Sequence, residues 1–581
     1  MRMPRTIALI VAAFLAGSLL SGQEDRAPLE PRLQAGGRSN VITDENARRG
    51  TTSWQLEDPA LEHEIEGYAS STSVPVGGSI SLYVNSKDPY TMTVYRMGWY
   101  QGRGARMMAG PIRRGPSVQP DCIREDDEPG APQPYTGLIE CNWRNGHSLR
   151  VGDDWVSGVY LTKLHNESNG NESYIIFTVR DTRAAEFIFQ QAVTTYNAYN
   201  NWPADYGTDP PKRGYSSYDY NSARGGPGTY ARKVSFDRPY GPRTGDRSGN
   251  CGNDEKLYTS AQWGMGAGDF LTHDYDPRSF QILDCSSAAG WEYNMIRWLE
   301  RMGYDVTYVT DMDTHDDPTQ LLRAKAFLSV GHDEYWSTEM RTNVETARDN
   351  GVHLGFFGAN YSYWVVRFEP SASGQENRVM VAYKEYPANE PKNLEDPMFN
   401  TPVWGLTFQD HRWSEEDLAG ALWGGNYEVY GPDYFGGEQA NADLVIENPD
   451  HWIFRGTGLA EGDRLTKIIG YEYNTNVYCH PDGVDIVNRT DLGYLEEGRR
   501  HHITVYTAES GAIVFNAGTI QWSWGLDDYF TGLSTFEGTN GPKIRESRFD
   551  PAVSRITTNV LDRFLSGEPI PPPAEECTTP T

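Results

Sequence analysis

From about Ile65 the chain alternates apolar and polar residues. Ile80, Leu82 and Val84 are separated by polar neighbours, Lys87-Asp88-Pro89 turns the chain, and residues 91–95 form a second β-branched and aromatic run. Residues 158–164 and 174–179 are further strand-like runs, with Asn169-Gly170 as the hairpin turn between them. Short strands set apart by turn residues predict a β-sandwich over residues 56–181. From Phe187 the period changes. Trp291, Met295, Trp298, Leu299 and Met302 share one helical face that Gly303 ends. Residues 306–310, 326–330 and 352–357 read as strands, residues 319–323 as a short helix, and Ser337 as the cap of a helix running to about Asp349. Strand–helix–strand alternation implies a parallel sheet with right-handed crossovers. Residues 465–473 return to β, residues 503–506 and 512–515 predict a hairpin around Ser510-Gly511, and Val553, Ile556, Val560, Leu561 and Phe564 mark a closing amphipathic helix. The expected fold class is therefore multidomain, an all-β unit followed by an α/β domain over residues 182–566, with long insertions at 203–280 and 370–460.

The ends read differently. Arg2 and Arg5 precede an apolar stretch at 7–20, followed by Ser21 and Gly22, the pattern of a signal peptide over residues 1–22. Residues 23–55 are polar without apolar periodicity and read as a linker; residues 567–581 read as a Pro-rich tail. No other run is long and apolar enough to span a bilayer. Localisation is accordingly expected to be secreted or extracytoplasmic. A formal net charge of −29 argues against a nucleic-acid partner. Six cysteines suit an oxidising compartment. Cys122 and Cys141 bracket one polar loop and are expected to pair, Cys251 and Cys285 bracket a second irregular region, and Cys479 and Cys577 are left over. No Cys-x-x-Cys spacing occurs, which excludes a zinc knuckle and a thioredoxin-like motif.

Three short segments carry candidate chemistry. Gly331-His332-Asp333-Glu334-Tyr335-Trp336 and Asn360-Tyr361-Ser362-Tyr363-Trp364 directly follow predicted strands, and Gly470-Tyr471-Glu472-Tyr473 follows a third β run. Ligands gather at the carboxyl ends of parallel strands, so these turns are expected at one edge of one sheet. No Gly-x-Ser-x-Gly elbow occurs and no Ser or Cys sits in the first turn, which favours metal-activated water over a Ser or Cys nucleophile. Tyrosine and carboxylate oxygens are hard donors. Glu472 lies in an apolar run and needs a partner there, a metal ion or an arginine. His332 and Glu334 are candidate proton relays. Tyr361 and Trp364 read equally well as packing. Asp311, Asp313, His315, Asp316 and Asp317 admit a metal-binding reading, but capping of the helix before Pro318 by Asp316 or Asp317 is the simpler account. Sequons at Asn166, Asn171, Asn360 and Asn488 are read as incidental. Two rival readings remain open: a glycan-binding surface protein whose α/β domain is catalytically silent, and a carbohydrate-active hydrolase using paired carboxylates such as Asp333 and Glu472.

Together with residues 195–202, 235–240, 303–306, 367–369 and 517–525, these segments resemble the large (β) subunit family of N,N-dimethylformamidase, in its C-terminal catalytic region, over about residues 187–564. Tyr95-Arg96-Met97-Gly98-Trp99-Tyr100 is similar to the Ig-like domain that precedes this region in exported relatives. The resemblance implies a glutamine-amidotransferase-like α/β fold without its Cys nucleophile, and a mononuclear ferric ion, Fe(III), held by two tyrosines and a glutamate. The first tyrosine, in a His-x-Glu-Tyr turn, matches Tyr335. The second, in Asn-x-x-Tyr-Trp, matches Tyr363, and the carboxylate in Gly-aromatic-Glu matches Glu472. It implies a hydrolase acting on amide or formamide-type C–N bonds. A small-molecule amide or a glycan-like substrate, and a homo-oligomer or a small partner subunit, stay open. The chain departs from the dimethylformamidase in its export signal and its Ig-like domain. Secreted material is expected to begin near Gln23, and N-terminal sequencing that finds Met1 instead would refute export.

Overall fold

The computed structural model describes residues 29–32, 39–124, 136–203, 216–218, 230–241, 264–273, 288–384, 414–426, 442–470, 472–492, 499–529, 547–573 and Cys577. The signal segment, much of both insertions, and Cys251 and Cys285 lie outside the described residues.

Residues 39–55, expected as linker, are folded. Asn40 caps a short helix, α1 (Val41–Asn46), by accepting from Thr43 N at 2.9 Å. The strands that follow are β1 (Ile65–Ala69), β2 (Ser73–Pro75), β3 (Ser79–Ser86), β4 (Tyr90–Met97), β5 (Ala105–Arg114), β6 (His147–Arg150), β7 (Gly158–Asn166) and β8 (Glu172–Arg180). They form two sheets, in the orders β1-β3-β6 and β2-β8-β7-β4-β5. In β3 the predicted alternation holds, with Ile80, Leu82 and Val84 buried against the opposite sheet. Asn169-Gly170 turns β7 into β8 as expected. These two strands are buried on both faces. Tyr160, Leu164, Ile175 and Phe177 fill the sandwich core, while Val159, Leu161, Tyr174 and Ile176 point into the core of the α/β unit. The larger sheet is thus the middle layer of three, which explains why its strands read as continuous apolar runs.

The α/β unit opens with β9 (Ala185–Gln191) and α2 (Val193–Tyr199), followed by α3 (Glu292–Met302), β10 (Val306–Thr310), α4 (Asp311–Asp316), β11 (Ala324–Gly331), β12 (Tyr335–Ser337), α5 (Thr338–Asp349), β13 (His353–Gly358), β14 (Trp364–Glu369), β15 (Glu472–Thr475), β16 (Asp485–Asp491), β17 (Arg500–Thr507), β18 (Ile513–Asn516) and α6 (Pro551–Ser566). The main sheet runs β10-β9-β11-β13-β18-β17-β16. Its first five strands are parallel, and β17 and β16 add antiparallel pairings. Along the chain the parallel strands stand in the order 2-1-3-4-5, so the winding reverses between β9 and β11. Such a reversal opens a crevice at the carboxyl ends of those strands. Ser337 caps α5 as expected, and Gly303 ends α3.

Three expectations are corrected. The acidic run at 311–317 does not precede a helix: most of it is the helix α4 itself, which Thr310 caps, so neither Asp316 nor Asp317 is the expected N-cap. Residues 319–323 narrow to a single 3₁₀ turn, Leu321–Arg323. Residues 465–473 do not join the main sheet. They divide into Arg464–Ile469 and β15, which pair respectively with Ala442–Val445 and Leu422–Asn426. Cys122 and Cys141 are bonded as expected, and the two leftover cysteines, Cys479 and Cys577, also form a disulfide across 98 residues of sequence, a separation that leaves no local signal.

The middle layer meets the α/β unit around one buried ion pair. Arg96 of β4 donates to both carboxylate oxygens of Glu300 on α3, at 2.7 and 3.2 Å, and to Ser157 O at 2.9 Å. Neither side chain is exposed. Glu300 also accepts from Asn46 at 2.8 Å and from Tyr308 of β10 at 2.9 Å. A side chain at Gly98 would collide with Glu300 Oε2. The Tyr95–Tyr100 motif is therefore a docking device. Glu300→Gln strands a buried guanidinium, and breaking one side of a buried pair costs about 3–5 kcal/mol. Denaturant unfolding should show a loss of that size; a loss below about 1 kcal/mol, the scale of an exposed pair, would show that the contact does not carry the interface.

Candidate active site

The site lies in the β9/β11 crevice. Gly331 ends β11 at φ 74°, where a Cβ would lie 2.7 Å from Trp291 Cβ, and it pairs with Gly358 at the end of β13, whose own Cβ would clash with Gly331 O. Only two glycines allow the strand ends to approach this closely. Beyond them the two turns zip together. Ser362 N donates to Asp333 O at 2.7 Å, and Tyr363 N and Trp364 N donate to Glu334 O at 2.8 and 2.9 Å. β12 then pairs in parallel with β14, with Tyr335 opposite Trp364. Asn360 and Ser362 hold φ of 50°, a left-handed conformation that marks the turn as strained. Glu472 reaches the same place from β15: Asn360 N donates to Asn474 Oδ1 at 3.0 Å, and Asn360 Nδ2 to Glu472 Oε2 at 2.7 Å.

The side chains form one connected network. His332 Nε2 stands 3.3 Å from Glu334 Oε2 and 3.2 Å from Glu472 Oε2. Tyr199 of α2 and Tyr218 donate to Glu334 Oε2 at 3.1 and 2.7 Å. Tyr335 donates to Tyr218 at 2.8 Å. Lys384, in the left-handed region at φ 51°, holds its ammonium 3.6 Å from the Tyr218 ring centre and 5.2 Å from that of Tyr335, and donates to Ser217 O at 2.6 Å. Tyr335, Glu334, His332 and Glu472 are buried, while Tyr363 is half-buried with its ring edge-on to Trp364 and Trp423. Burial pulls the His332 imidazolium down, but the Glu472 and Glu334 carboxylates outweigh it and raise its pKa. Burial raises Glu334 against the attraction of His332 and Lys384.

The structure thus brings His332, Glu334, Tyr335 and Glu472 into one hydrogen-bonded cluster, and sets Tyr363 beside them through the paired turns. Glu472 arrives from a separate two-stranded sheet, not from the edge of the main one. Asp333 is turned away. Its carboxylate accepts from Gln190 and Trp336 at 2.8 Å and from Ser329 at 2.9 Å, so it is an internal brace. Pairing Asp333 with Glu472 for glycoside hydrolysis is therefore not favoured. Tyr361 is packing, hydrogen-bonded to Asn516 at 2.8 Å. Asn360 and Asn488 are buried, which removes both as glycan acceptors. Tyr218 and Lys384 were not anticipated. They sit outside the periodic elements, and only the shared network singles them out. Among the described residues, no group of three or more His, Cys, Asp or Glu is disposed to hold a metal ion. Phenol and carboxylate oxygens are both hard donors of the kind a hard cation takes, and the structure joins the two kinds where Tyr199 and Tyr218 meet Glu334.

A family model described as N,N-dimethylformamidase beta subunit-like, C-terminal, matches residues 91–537. The chain belongs to this family. The match begins in β4, well before residue 187, so the family region takes in most of the sandwich and its docking motif. The chain is 22% identical over 494 residues to the N,N-dimethylformamidase beta subunit of Alcaligenes sp, aligning 75% of itself with 56% of that protein. It is 22% identical over 319 residues to the protein of the same name from Paracoccus aminophilus, aligning 48% of itself with 37% of it. The aligned parts therefore span about half or less of the relatives' own length. A solved family 123 glycoside hydrolase from Clostridium perfringens aligns with a TM-score of 0.10 at 8% identity, over 51% of this chain and 72% of that one, and carries no argument about the fold.

The end of β15 depends on a neutral histidine. Asn476 N donates to His502 Nδ1 at 2.9 Å. Burial, with His501, Arg489 and Arg500 nearby, lowers the His502 pKa to about 3. A depressed histidine contributes stability that is complete above its unfolded value of about 6.5 and is lost as pH falls toward the folded value. Relative to His502→Asn, the wild type should lose up to about 1.4 kcal/mol per pH unit below pH 6.5. Parallel pH–stability curves for the two proteins would refute the assignment.

Proposed function

We propose that the chain is an exported metal-dependent hydrolase that cleaves amide or formamide-type C–N bonds of a small molecule, with Tyr335, Tyr363 and Glu472 as ligands to a mononuclear Fe(III). What supports this reading is the pairing of the two turns, with Tyr335 opposite Trp364, and the hydrogen bond by which Asn360 of the second turn holds Glu472. Two phenolates and one carboxylate balance a trivalent charge. A free phenol titrates near 10, so two tyrosine ligands call for a strongly acidic cation, whereas Mg²⁺ or Ca²⁺ would suit carboxylates alone. When bound, a ferric ion supplies Lewis acidity toward a substrate carbonyl and water. The chain's own residues do the rest. His332 holds a proton at Nε2 between two carboxylates, and Glu334, with Tyr199 and Tyr218 as donors, is placed to exchange one with it. The Lys384 ammonium offsets the carboxylate charge, and Trp364 and Trp423 flank Tyr363.

The sandwich is read as Ig-like and the α/β unit as glutamine-amidotransferase-like, a reading supported by the facing sheets and the 2-1-3-4-5 strand order. The relatives are named beta subunits, which supports a partner subunit for this chain as well.

Native protein should carry one iron per chain and a visible phenolate charge-transfer band. Tyr335→Phe and Tyr363→Phe keep the ring and delete the oxygen; each should lose iron, colour and hydrolysis of simple formamides while far-UV circular dichroism is retained. Stoichiometric zinc, no metal, or coloured and active Phe variants would overturn the iron-hydrolase reading.

A further inference from the structure

Residues 235–240, one of the stretches that carry the family resemblance, take no part in the hydrogen-bonded cluster of the candidate site. Phe236, Arg238 and Tyr240 instead line a cavity of about 30 Å³ between the sandwich and the α/β unit. Thr72 closes it from the turn after β1, Gln191 from the end of β9, and Arg378 from far along the chain. Among the described residues its lining holds two arginines and no carboxylate. That contrasts with a chain whose formal net charge is −29.

Donors are left over here. Arg378 directs Nε and Nη2 to one oxygen, Asp237 Oδ1, at 2.9 and 2.8 Å, and Nη2 also donates to Ala69 O at 3.1 Å. The guanidinium is held over the Phe236 ring, 5.5 Å from its centre. Its Nη1, with two N–H groups, meets no acceptor among the described residues. The Tyr240 hydroxyl has no hydrogen-bond partner among them either. Arg238 is 1% exposed and donates to three backbone carbonyls, those of Asn200 and Trp202 at 3.1 Å and that of Ser235 at 3.3 Å. Carbonyl oxygens accept these bonds without cancelling the charge, and burial lowers the Arg238 pKa to about 9.

We infer that this cavity is a binding site for a small carboxylate anion of formate size. An anion placed here meets a buried cation and two idle donors, and charge-assisted bonds of that kind are the strong ones. A carboxylate carries two acceptor oxygens, one for Arg378 Nη1 and one for the Tyr240 hydroxyl. Size narrows the choice. One water needs roughly 10–15 Å³ of such space, so the cavity admits about two or three heavy atoms. Formate has three, whereas sulfate and phosphate have five. Bound there, the anion would bridge the sandwich turn that holds Thr72 and the segment that precedes the α/β helices. The site stands apart from the hydrolase reading, although formate is also the acid that hydrolysis of a formamide releases.

The purified protein is titrated calorimetrically with sodium formate, with ionic strength held constant by sodium sulfate. One saturable site per chain should appear, with Kd on the order of 1 mM, near the limit for a ligand of three heavy atoms. Phosphate should not compete. Tyr240→Phe keeps the ring and deletes one donor, so Kd should rise about tenfold. Arg378→Lys keeps a cation beside Asp237 but removes Nη1, and should weaken binding at least as much. Far-UV circular dichroism reports whether each variant folds; Tyr240→Phe decides the question if Arg378→Lys does not. Tyr335→Phe, in the candidate active site, should bind formate as the wild type does. No saturable binding to the wild type, or an unchanged Kd in Tyr240→Phe, would overturn the inference. Binding that is lost in Tyr335→Phe would place the anion in the candidate active site and overturn it too. Phosphate that displaces formate would overturn the assignment to a small carboxylate.

Discussion

The buried Arg96–Glu300 pair is the contact on which the architecture turns. It is two-pronged, fully dehydrated and neutral as a pair, and its remaining hydrogen-bond capacity is met from α1, β10 and the Ser157 carbonyl. A buried pair is not by itself a source of stability, because desolvation offsets the attraction. Its value is geometric: it admits one orientation of the sandwich on the α/β unit. From that interface a short relay leads to the site. Thr178 of β8 donates to Gln191 at the end of β9 at 2.6 Å, and the neighbouring Gln190 donates to Asp333 in the first turn at 2.8 Å. The all-β unit is therefore a wall of the scaffold that carries the site more than an appended module, consistent with a family match that begins inside β4.

Much of the frame was legible because its signals are local. The period-2 run of β3, the Asn-Gly turn, the glycine after α3 and the serine cap of α5 each act within a few residues. The turns at 331–336 and 360–364 were legible for the same reason, since a strand end followed by His, Asp, Glu and Tyr needs no distant partner to be noticed. What was not legible depends on distance. Glu472 looked like part of the main sheet because an apolar run says nothing of which strand it pairs with. Asp333 looked like a catalytic acid because its donors lie at Gln190 and Ser329, one of them far upstream. Lys384 and Tyr218 gave no signal, as the stretches around them have no period.

The site is assembled where the backbone has least freedom. Gly331 and Gly358 permit the contact, and Asn360, Ser362 and Lys384 take left-handed conformations around it. Strain of this kind persists only when surrounding hydrogen bonds over-determine it. Here they do: the two turns share backbone bonds, and Asn474 and Thr195 close the cluster from β15 and α2. A sequence records the residue types that tolerate such backbones, Gly and Asn above all, but not which of them meet.

The Cys479–Cys577 bond has a topological consequence. It closes a covalent ring that contains β16, β17, β18 and α6 and that begins four residues past β15. A single backbone cut anywhere between the two cysteines, including the stretches at 493–498 and 530–546, opens the ring without dividing the molecule. The two fragments remain one covalent body until a reductant is added, so a nicked population would migrate as intact protein on a non-reducing gel. Under non-reducing conditions the strand bearing Glu472 is thus inseparable from the final helix of the fold.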